Sequence, residues 1–375
     1  MARLSGMTLP DDSPFLRDYP MGAGTDTPEF RDRYDRHTLV YDAFFDSEAG
    51  CVRMVGPSLK PRLTQMMRGA TFKVDGAARP HRLVHVSPRT GMIELDWVGE
   101  PPRMVRLFHP ALPRFRPVTV NGQELDRFAG KNALVAISKN NDLRWIRDWL
   151  TYHVRVHGAN AVVLFDNGSD AYRFRQLRMA VGSVPGIDEY AVISAPYPFG
   201  PAGVSRPTTN AKFFHLSMLH IAHLRFLARA NAVLSVDVDE LVVPRSGTPI
   251  FDAVKRAEQG FLTFPGTWRY APKPADAGSV VRHVDHQLAR RGRDARMNGK
   301  WCVDPMGALQ GKYWRVHGIV GGERTARPDY HFLHCRQIST GWDYERGFEP
   351  EDRFEPAPEA AFLRKVFDTP TPPTT

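Results

Sequence analysis

With 375 residues, 42% of them hydrophobic and 11% aromatic, the chain can fill the core of one large or two ordinary globular domains. Fifty Lys and Arg against 41 Asp and Glu leave a net charge of +9, which favours anionic partners such as nucleotides or phospholipid surfaces. Three cysteines lie far apart without CxxC spacing, which argues against zinc and redox chemistry. No apolar run approaches the roughly 18 residues of a membrane span, and the opening MARLSGMTLPDDSP lacks a secretory apolar region. These features predict a cytoplasmic protein, soluble or peripherally attached at the inner face of the membrane.

In chain order, residues 1–36 are rich in Asp, Pro, Gly and Arg without a sustained apolar period, and read as a flexible, extended arm. From 37 to 128, short apolar segments (TLVYDAFF, CVRMVG, TFKVDG, RLVHVS, MIELDWVG, RMVRLF) alternate with turn residues, the pattern of a small antiparallel β domain. The Asn-Gly pair of VTVNGQEL reads as a hairpin turn closing it. Residues 346–375 form a C-terminal extension whose proline-rich end, DTPTPPTT, cannot be helical.

Between 129 and 345 the pattern becomes strand and helix in alternation. NALVAIS is a buried strand; NDLRWIRDWLTYHVRVHG places Leu143, Ile146, Leu150 and Val154 at helical spacing, with Asn140 or Asn141 as N-cap and Gly158 as stop. AVVLFDNGSD is the next strand, so residues 133–170 form a βαβ unit, which requires a parallel sheet. A helix from about Ala171, a strand YAVISAP and a long helical stretch ending near Ala230 lead to the strand AVLSV. Ligands of open parallel sheets bind at the carboxyl ends of strands. That rim carries Ser138 to Asn141, Asp166 to Asp170, and Asp237 with Asp239.

SVDVDELVVP (235–244) sets Asp237 and Asp239 one residue apart between apolar runs. Two carboxylates at this spacing past a strand can reach one hard cation, Mn2+ or Mg2+, which in turn neutralises a diphosphate leaving group. The apolar flanks make unpaired charge there costly. Elsewhere, Lys300 and Trp301 of GKWCVDP offer a cation for phosphate and an aromatic face for a sugar or base, although Trp301 also suits a core. Glu240 and Asp304 are the carboxylates available as general base; Glu240 could equally anchor the acidic motif. Lys212 and His215 share a helical face that reads as solvated. His153 and His157 imitate a metal pair, but Val154 stands where HExxH needs Glu, so they read as structural. The basic stretch HQLARRGRDAR lacks the interleaved aromatics of a nucleic-acid platform; it reads as a solvated loop, and no nucleic-acid partner is expected.

Taken in order, AISKNNDLRWIRDWLTYHVRVHGANAVVLFDNGSD, VLSVDVDELVVP, GKWCVDP, WRVHGI and HFLHCR resemble the bacterial relatives of the glycosyltransferase family 92 and family 2-like group, over about residues 131–342. The chain departs from that pattern at Asn141-Asp142, where the family has Glu, at Asp148-Trp149 in place of Glu-Trp, and at His334-Cys335 in place of His-Tyr. The resemblance implies a GT-A fold, that is, a Rossmann-like, mostly parallel α/β sheet with flanking helices. It implies that Lys139, Asn140, Asp166 and Asn167 hold the nucleotide of a nucleotide-sugar donor, to which Asp237 and, on residue type, Lys300 and Trp301 would add contacts. Asp237 and Asp239 would then bind the divalent ion, with His334 or His317 completing its shell and a glycan or lipid-linked molecule as acceptor. Two other readings remain. An aspartyl phosphatase also ends a strand in DxD, but usually with Thr or Val where this chain has Leu241. A glycan-binding protein without turnover is the second.

Overall fold

The computed structural model describes residues 2–369 apart from 23, 113–115, 202–210, 275, 277, 293, 296, 324–328 and 340–346. The chain divides into two units, Met1–Leu125 with Ala195–Phe226, and Asp126–Ser194 with Leu227–Thr375.

In the first unit the alternating segments form the expected β structure. Strands Asp42–Asp46, Cys51–Pro57, Thr90–Asp96 and His81–His85 pair antiparallel in that order, and a second sheet holds Met104–Phe108, Thr71–Val74 and Ala77–Arg79. Period-two alternation is visible in Thr71–Val74, where Phe72 and Val74 are buried and Thr71 and Lys73 exposed. Asn121-Gly122 is not a hairpin turn. It is a short strand parallel to Asp42–Asp46, because the Asn121 amide is taken by Asp42 Oδ1 at 2.8 Å and the Arg3 carbonyl at 3.0 Å. The first 36 residues are likewise not an extended arm. Met7–Thr8 pairs with Thr38–Val40, Thr27 caps a helix at Pro28–Arg33, and the fully buried Arg17 donates to the carbonyls of Ser58, Asp35 and Thr38. Polar contacts and isolated apolar anchors, Met7, Leu9 and Phe30, hold this segment, and neither registers as apolar periodicity. Helix Phe213–Ile221, expected within the α/β domain, belongs to this unit and packs on Cys51–Pro57. It is apolar around nearly its whole circumference and is therefore buried.

The second unit is built on a six-stranded sheet. Its strands are β1 (Asn132–Ser138), β2 (Ala161–Asp166), β3 (Glu189–Ser194), β4 (Ala232–Ser235), β6 (Phe261–Phe264) and β8 (Lys300–Val303), in the order β3-β2-β1-β4-β8-β6. The first four are parallel and β8 runs antiparallel between β4 and β6, giving the mostly parallel α/β sheet expected. Helix α1 (Leu143–His157) covers it with Ile146, Trp149, Leu150 and Tyr152, all fully buried. Its stop is Gly158 at φ 69°, a left-handed conformation that glycine adopts without strain. Its N-cap is Asp142, whose carboxylate accepts from Arg144 N at 2.8 Å, and not Asn140 or Asn141. Helix α2 (Phe174–Gly182) follows β2. The order of connections reverses between β1 and β4, and this switch point is where an open sheet leaves a crevice at its strand ends.

A three-stranded sheet of β5 (Glu240–Pro244), β9 (Tyr330–Cys335) and β7 (Gly266–Arg269) lies after the switch point in sequence, with β9 central. The C-terminal extension is more than a tail: it carries helix α3 (Ala360–Asp368), which is tied to this sheet through Glu359. From residue 370 on, the expected proline-rich end lies outside the described residues. The basic stretch forms a strand, Leu288–Arg290, paired with Phe354–Pro356, and Arg290 is engaged by Glu349 and Asp294. Among the described residues no helix is long and apolar enough to cross a membrane.

Glu359 accepts from Arg269 at 2.9 and 2.7 Å and from His331 Nε2 at 2.8 Å. Arg245 Nε donates to His331 Nδ1 at 3.2 Å, which places the imidazole proton on Nε2. Burial alone would raise this carboxyl, but the His331 hydrogen bond and Arg269 outweigh it and hold Glu359 at about 2. A carboxyl lowered from 4.5 stabilises the fold above that value and loses the contribution as pH falls toward 2. Glu359→Gln is therefore expected to destabilise the protein at pH 6 by roughly 1.5–3 kcal/mol, typical of hydrogen bonds to a charged group. The wild-type and variant urea curves should converge near pH 2.

Candidate functional site

Register brings the strand ends of the second unit to one rim. Ser138 is level with Asp166, and Val135 with Ser235, so β1, β2 and β4 finish close together. Beyond β1, Asn140 adopts φ 53° and binds the loop after β2. Its Oδ1 accepts from Asp170 N at 2.9 Å and Ala171 N at 3.1 Å, and its Nδ2 donates to Asp170 Oδ1 at 2.9 Å. Buried Asn141 donates to Ser138 Oγ at 3.0 Å and accepts from Ser339 Oγ at 2.6 Å; Ser339 is itself at φ 57°. Two non-glycine residues in the left-handed region cost energy that the surrounding structure must supply, a pattern common at functional sites.

Lys139, Asn140, Asp166 and Asn167 thus lie together past the ends of β1 and β2. The Asn140 side chain, however, is spent on cross-linking two loops, so it shapes the rim and does not offer its amide to a ligand. Burial raises the Asp166 carboxyl, with hydrogen bonds from Ser169 and the charge of Lys139 in opposition. Asn167 is buried, its N–H donating to Ser138 O at 2.8 Å.

The acidic motif fills the turn between β4 and β5. Asp237 and Glu240 brace it reciprocally: Asp237 N donates to Glu240 Oε2 at 2.8 Å and Glu240 N to Asp237 O at 3.0 Å. Trp301 faces Ser235 in the β4–β8 register, so Lys300 falls opposite the residue where β4 gives way to this turn. Its ammonium pairs with Asp237 Oδ2 and, at 2.9 Å, with Glu240 Oε2. From the other side, Glu240 and His334 are direct neighbours in the β5–β9 register, and His334 Nε2 lies 3.0 Å from Asp239 Oδ2. Cys335 N donates to the Asp239 carbonyl at 2.8 Å. Asp237 keeps 38% of its side chain exposed, whereas Glu240 keeps 2% and Lys300 5%. Burial pushes the Glu240 carboxyl up to about 7; Lys300 and His334 pull it down, while Asp237 and Asp239 push it further up. Lys300 is penalised by burial, yet Asp237 and Glu240 hold it above the usual lysine range.

Trp268, Arg282 and His283 support the site without a sequence signature. The Trp268 ring, from β7, stacks on the His334 imidazole at 4.1 Å and 20° and restricts its rotation. Asp148 on α1 receives a two-pronged hydrogen bond from Arg282, with His283 Nδ1 3.7 Å away. His283 Nε2 donates at 2.8 Å to the carbonyl of Val238, the residue between the two motif aspartates. Asp148 thus anchors the acidic turn through Arg282 and His283.

Other expectations are corrected. Trp301 is fully buried, its Nε1 donating to Arg315 O at 2.8 Å and its ring edge-on to Trp314. Consecutive strand residues face opposite sides, so Lys300 entering the site sends Trp301 into the core. Asp304 lies past the far end of β8, about 13 Å along the strand from Lys300 at ~3.3 Å per residue, where it pairs with Lys255. It is not a base at this site. His317 Nδ1 meets the Gly299 carbonyl at 3.1 Å, and His317 is not a member of the ligand cluster that contains His334. Lys212 and His215 belong to the first unit, beside Phe199. His157 bonds Val242 O at 2.8 Å and accepts from Ile250 N at 3.2 Å, and His153 bonds Trp149 O at 2.8 Å, the structural roles anticipated for both.

The residues fit a divalent cation. One ligand atom each from Asp239, Glu240 and His334 lies within 4.8 Å of the others, and two carboxylates with an imidazole suit Mn2+ and related metals. With Asp237 included, three carboxyl groups share the site with one ammonium: Lys300 pairs with Asp237 and Glu240, while His334 meets Asp239, so negative charge predominates. Glu240, not among the expected ligands, joins Asp239 and His334 in this cluster, and Lys300 pairs with both Asp237 and Glu240.

No protein-family model and no curated protein sequence matches the chain. Among solved structures it is similar to the WbbM bifunctional glycosyltransferase in its apo form, at 12% identity over 40% of this chain and 25% of that one, with a TM-score of 0.26. It is also similar to S. aureus TarS 1–349 in complex with UDP-GlcNAc, at 12% identity over 63% and 65% of the two chains, TM-score 0.30. A mycobacterial protein gives 13% identity over 64% and 74%, TM-score 0.25. The chain thus spans a quarter of the WbbM structure and just under two thirds of the TarS fragment. All three scores fall below 0.5, and the reading of the site rests on its own residues.

Removing one member of a buried ion pair costs about 3–5 kcal/mol, because the other charge is stranded. Lys300→Met, studied with chelator present, should destabilise the protein on that scale at pH 8. A carboxyl whose folded value is raised, as at Glu240, contributes stability at low pH and loses it as pH rises through about 7. The loss should accordingly shrink at pH 5, where Glu240 takes up a proton. Adding Glu240→Gln should recover part of the pH 8 loss, read by urea denaturation of the double-mutant cycle.

Proposed function

We propose that the chain is a metal-dependent glycosyltransferase of the GT-A type, akin to the family 92 group, moving a sugar from a UDP-linked donor to a glycan or lipid-linked acceptor in surface-polysaccharide synthesis. One observation carries this reading: Asp237, Asp239, Glu240 and His334 converge, with a net deficit of positive charge, at the switch point of a mostly parallel sheet. That is the crevice where such sheets bind nucleotides.

In this reading Asp239, Glu240 and His334 hold Mn2+ or Mg2+, which when bound neutralises the charge developing on a diphosphate leaving group. Trp268 keeps the imidazole aimed at Asp239, and the Asp148–Arg282–His283 chain holds the Val238 carbonyl, so the turn is set before a ligand arrives. Preorganisation of this kind lowers the cost of binding. Lys300 restrains Asp237 and Glu240 in the absence of a ligand and supplies a positive charge beside the diphosphate. Lys139 and Asp166 line the neighbouring strand ends for the nucleoside. Glu240 is an anchor and ligand here, since its Oε2 already accepts from Asp237 N and Lys300.

An aspartyl phosphatase would need Asp239 as proton donor to a leaving group. Buried Asp239 faces His334, and its backbone is bonded to Cys335, which disfavours that role. A thermal-shift series with nucleoside diphosphates, with and without Mn2+, separates the readings. UDP with Mn2+ should raise the midpoint, with stabilisation of about 2.7 kcal/mol when ligand is a hundredfold above its dissociation constant. Asp239→Asn should abolish the Mn2+-dependent part while leaving the ligand-free midpoint near wild type. A flat response to every nucleotide would contradict the proposal.

A further inference from the structure

The first unit contains a cleft of about 890 Å3 between helix Lys60–Arg68 and strands His81–His85 and Thr90–Asp96. Its volume falls in the range of small-molecule sites. Leu59, Leu83 and Met92 give it apolar walls, Thr64 a hydroxyl, and Lys60 and Arg68 two cationic side chains; no lining residue is acidic. Among the described residues neither cation has a carboxylate partner. Lys60 Nζ donates only to the Pro88 carbonyl, at 2.8 Å, and faces the Phe213 ring at 5.7 Å.

Lys60 is also strained. It sits at φ 60°, where a non-glycine residue costs of order 1–3 kcal/mol, and Pro61 behind it narrows its choices further. Glycine would hold this backbone without penalty. Burial and the nearby Arg17 both lower the Lys60 ammonium, so its charge is held at a cost with no anion supplied by the protein. A strained lysine, an unpaired arginine and a cleft free of acids together describe a site completed by an external anion.

We propose that this cleft binds a soluble sugar or polyol phosphate, with Lys60 on the phosphate, Arg68 about 12 Å further along the helix axis on the hydroxyls at the other end, and the apolar wall against the carbon skeleton. Concavity and only two cations favour such a ligand over an anionic lipid surface, which is met by broad clusters of basic residues. The inference stands apart from the metal site and survives if that site proves inactive.

Isothermal titration calorimetry of the full chain with glucose 1-phosphate tests it, with glucose and phosphatidylglycerol vesicles as comparison arms. Wild type and Asp239→Asn should bind glucose 1-phosphate equally, and glucose at least tenfold more weakly. Raised salt should weaken the binding, as exposed charges are screened. Lys60→Gly and Arg68→Ala should each weaken it tenfold or more, with thermal midpoints no lower than wild type for the glycine variant. Arg68 is exposed, so its substitution tests the site without burdening the fold. Unchanged affinity in both variants, equal binding of glucose, loss of binding in Asp239→Asn, or binding of vesicles alone would each overturn the proposal.

Discussion

The second unit turns on one problem in electrostatics: three carboxylates, Asp237, Asp239 and Glu240, are packed into a turn where two of them have almost no contact with water. Buried like charges repel strongly and must be paired or neutralised. Lys300 meets Asp237 and Glu240 from β8, and His334 meets Asp239 from β9. What is left over is net negative charge, which favours a cation. The proposed chemistry follows from that remainder more than from any single residue.

Two sheets cooperate to create it. The parallel sheet delivers the turn at the end of β4 and, through the antiparallel insertion of β8, places an ammonium beside it. The smaller sheet delivers Glu240 and His334 as direct neighbours and adds the Trp268 ring behind the imidazole. Helix α1 locks the arrangement from a third direction, since Asp148 holds Arg282 and His283 and the latter holds Val238. Each contact is short in space and long in sequence, so the site exists only once the unit is folded.

That separation explains what the sequence could and could not disclose. The strand–helix alternation of 129–194 was legible because buried parallel strands are continuous apolar runs and α1 has a clear helical period. Asp237 and Asp239 were legible because acids between apolar runs demand compensation. Trp268 was not, because a tryptophan in GTWR announces nothing until β7 is found beside β9. Trp301 drew attention instead, yet strand parity forces it inward when Lys300 faces the site. Asp304 misled for a related reason: closeness in sequence to Lys300 meant the opposite end of a strand. Asn140 and Asn141 suit a helix cap by residue type, but Asp170 and Ser339 had already engaged their side chains, leaving the cap to Asp142.

The proposed metal site consists of Asp239, Glu240 and His334. Anomalous diffraction at the manganese edge from crystals grown with Mn2+ and UDP addresses it without reference to turnover. One strong peak is expected among those three side chains, lost in His334→Ala. No peak there, or a peak elsewhere on the chain with these residues still hydrogen-bonded to one another, would contradict it.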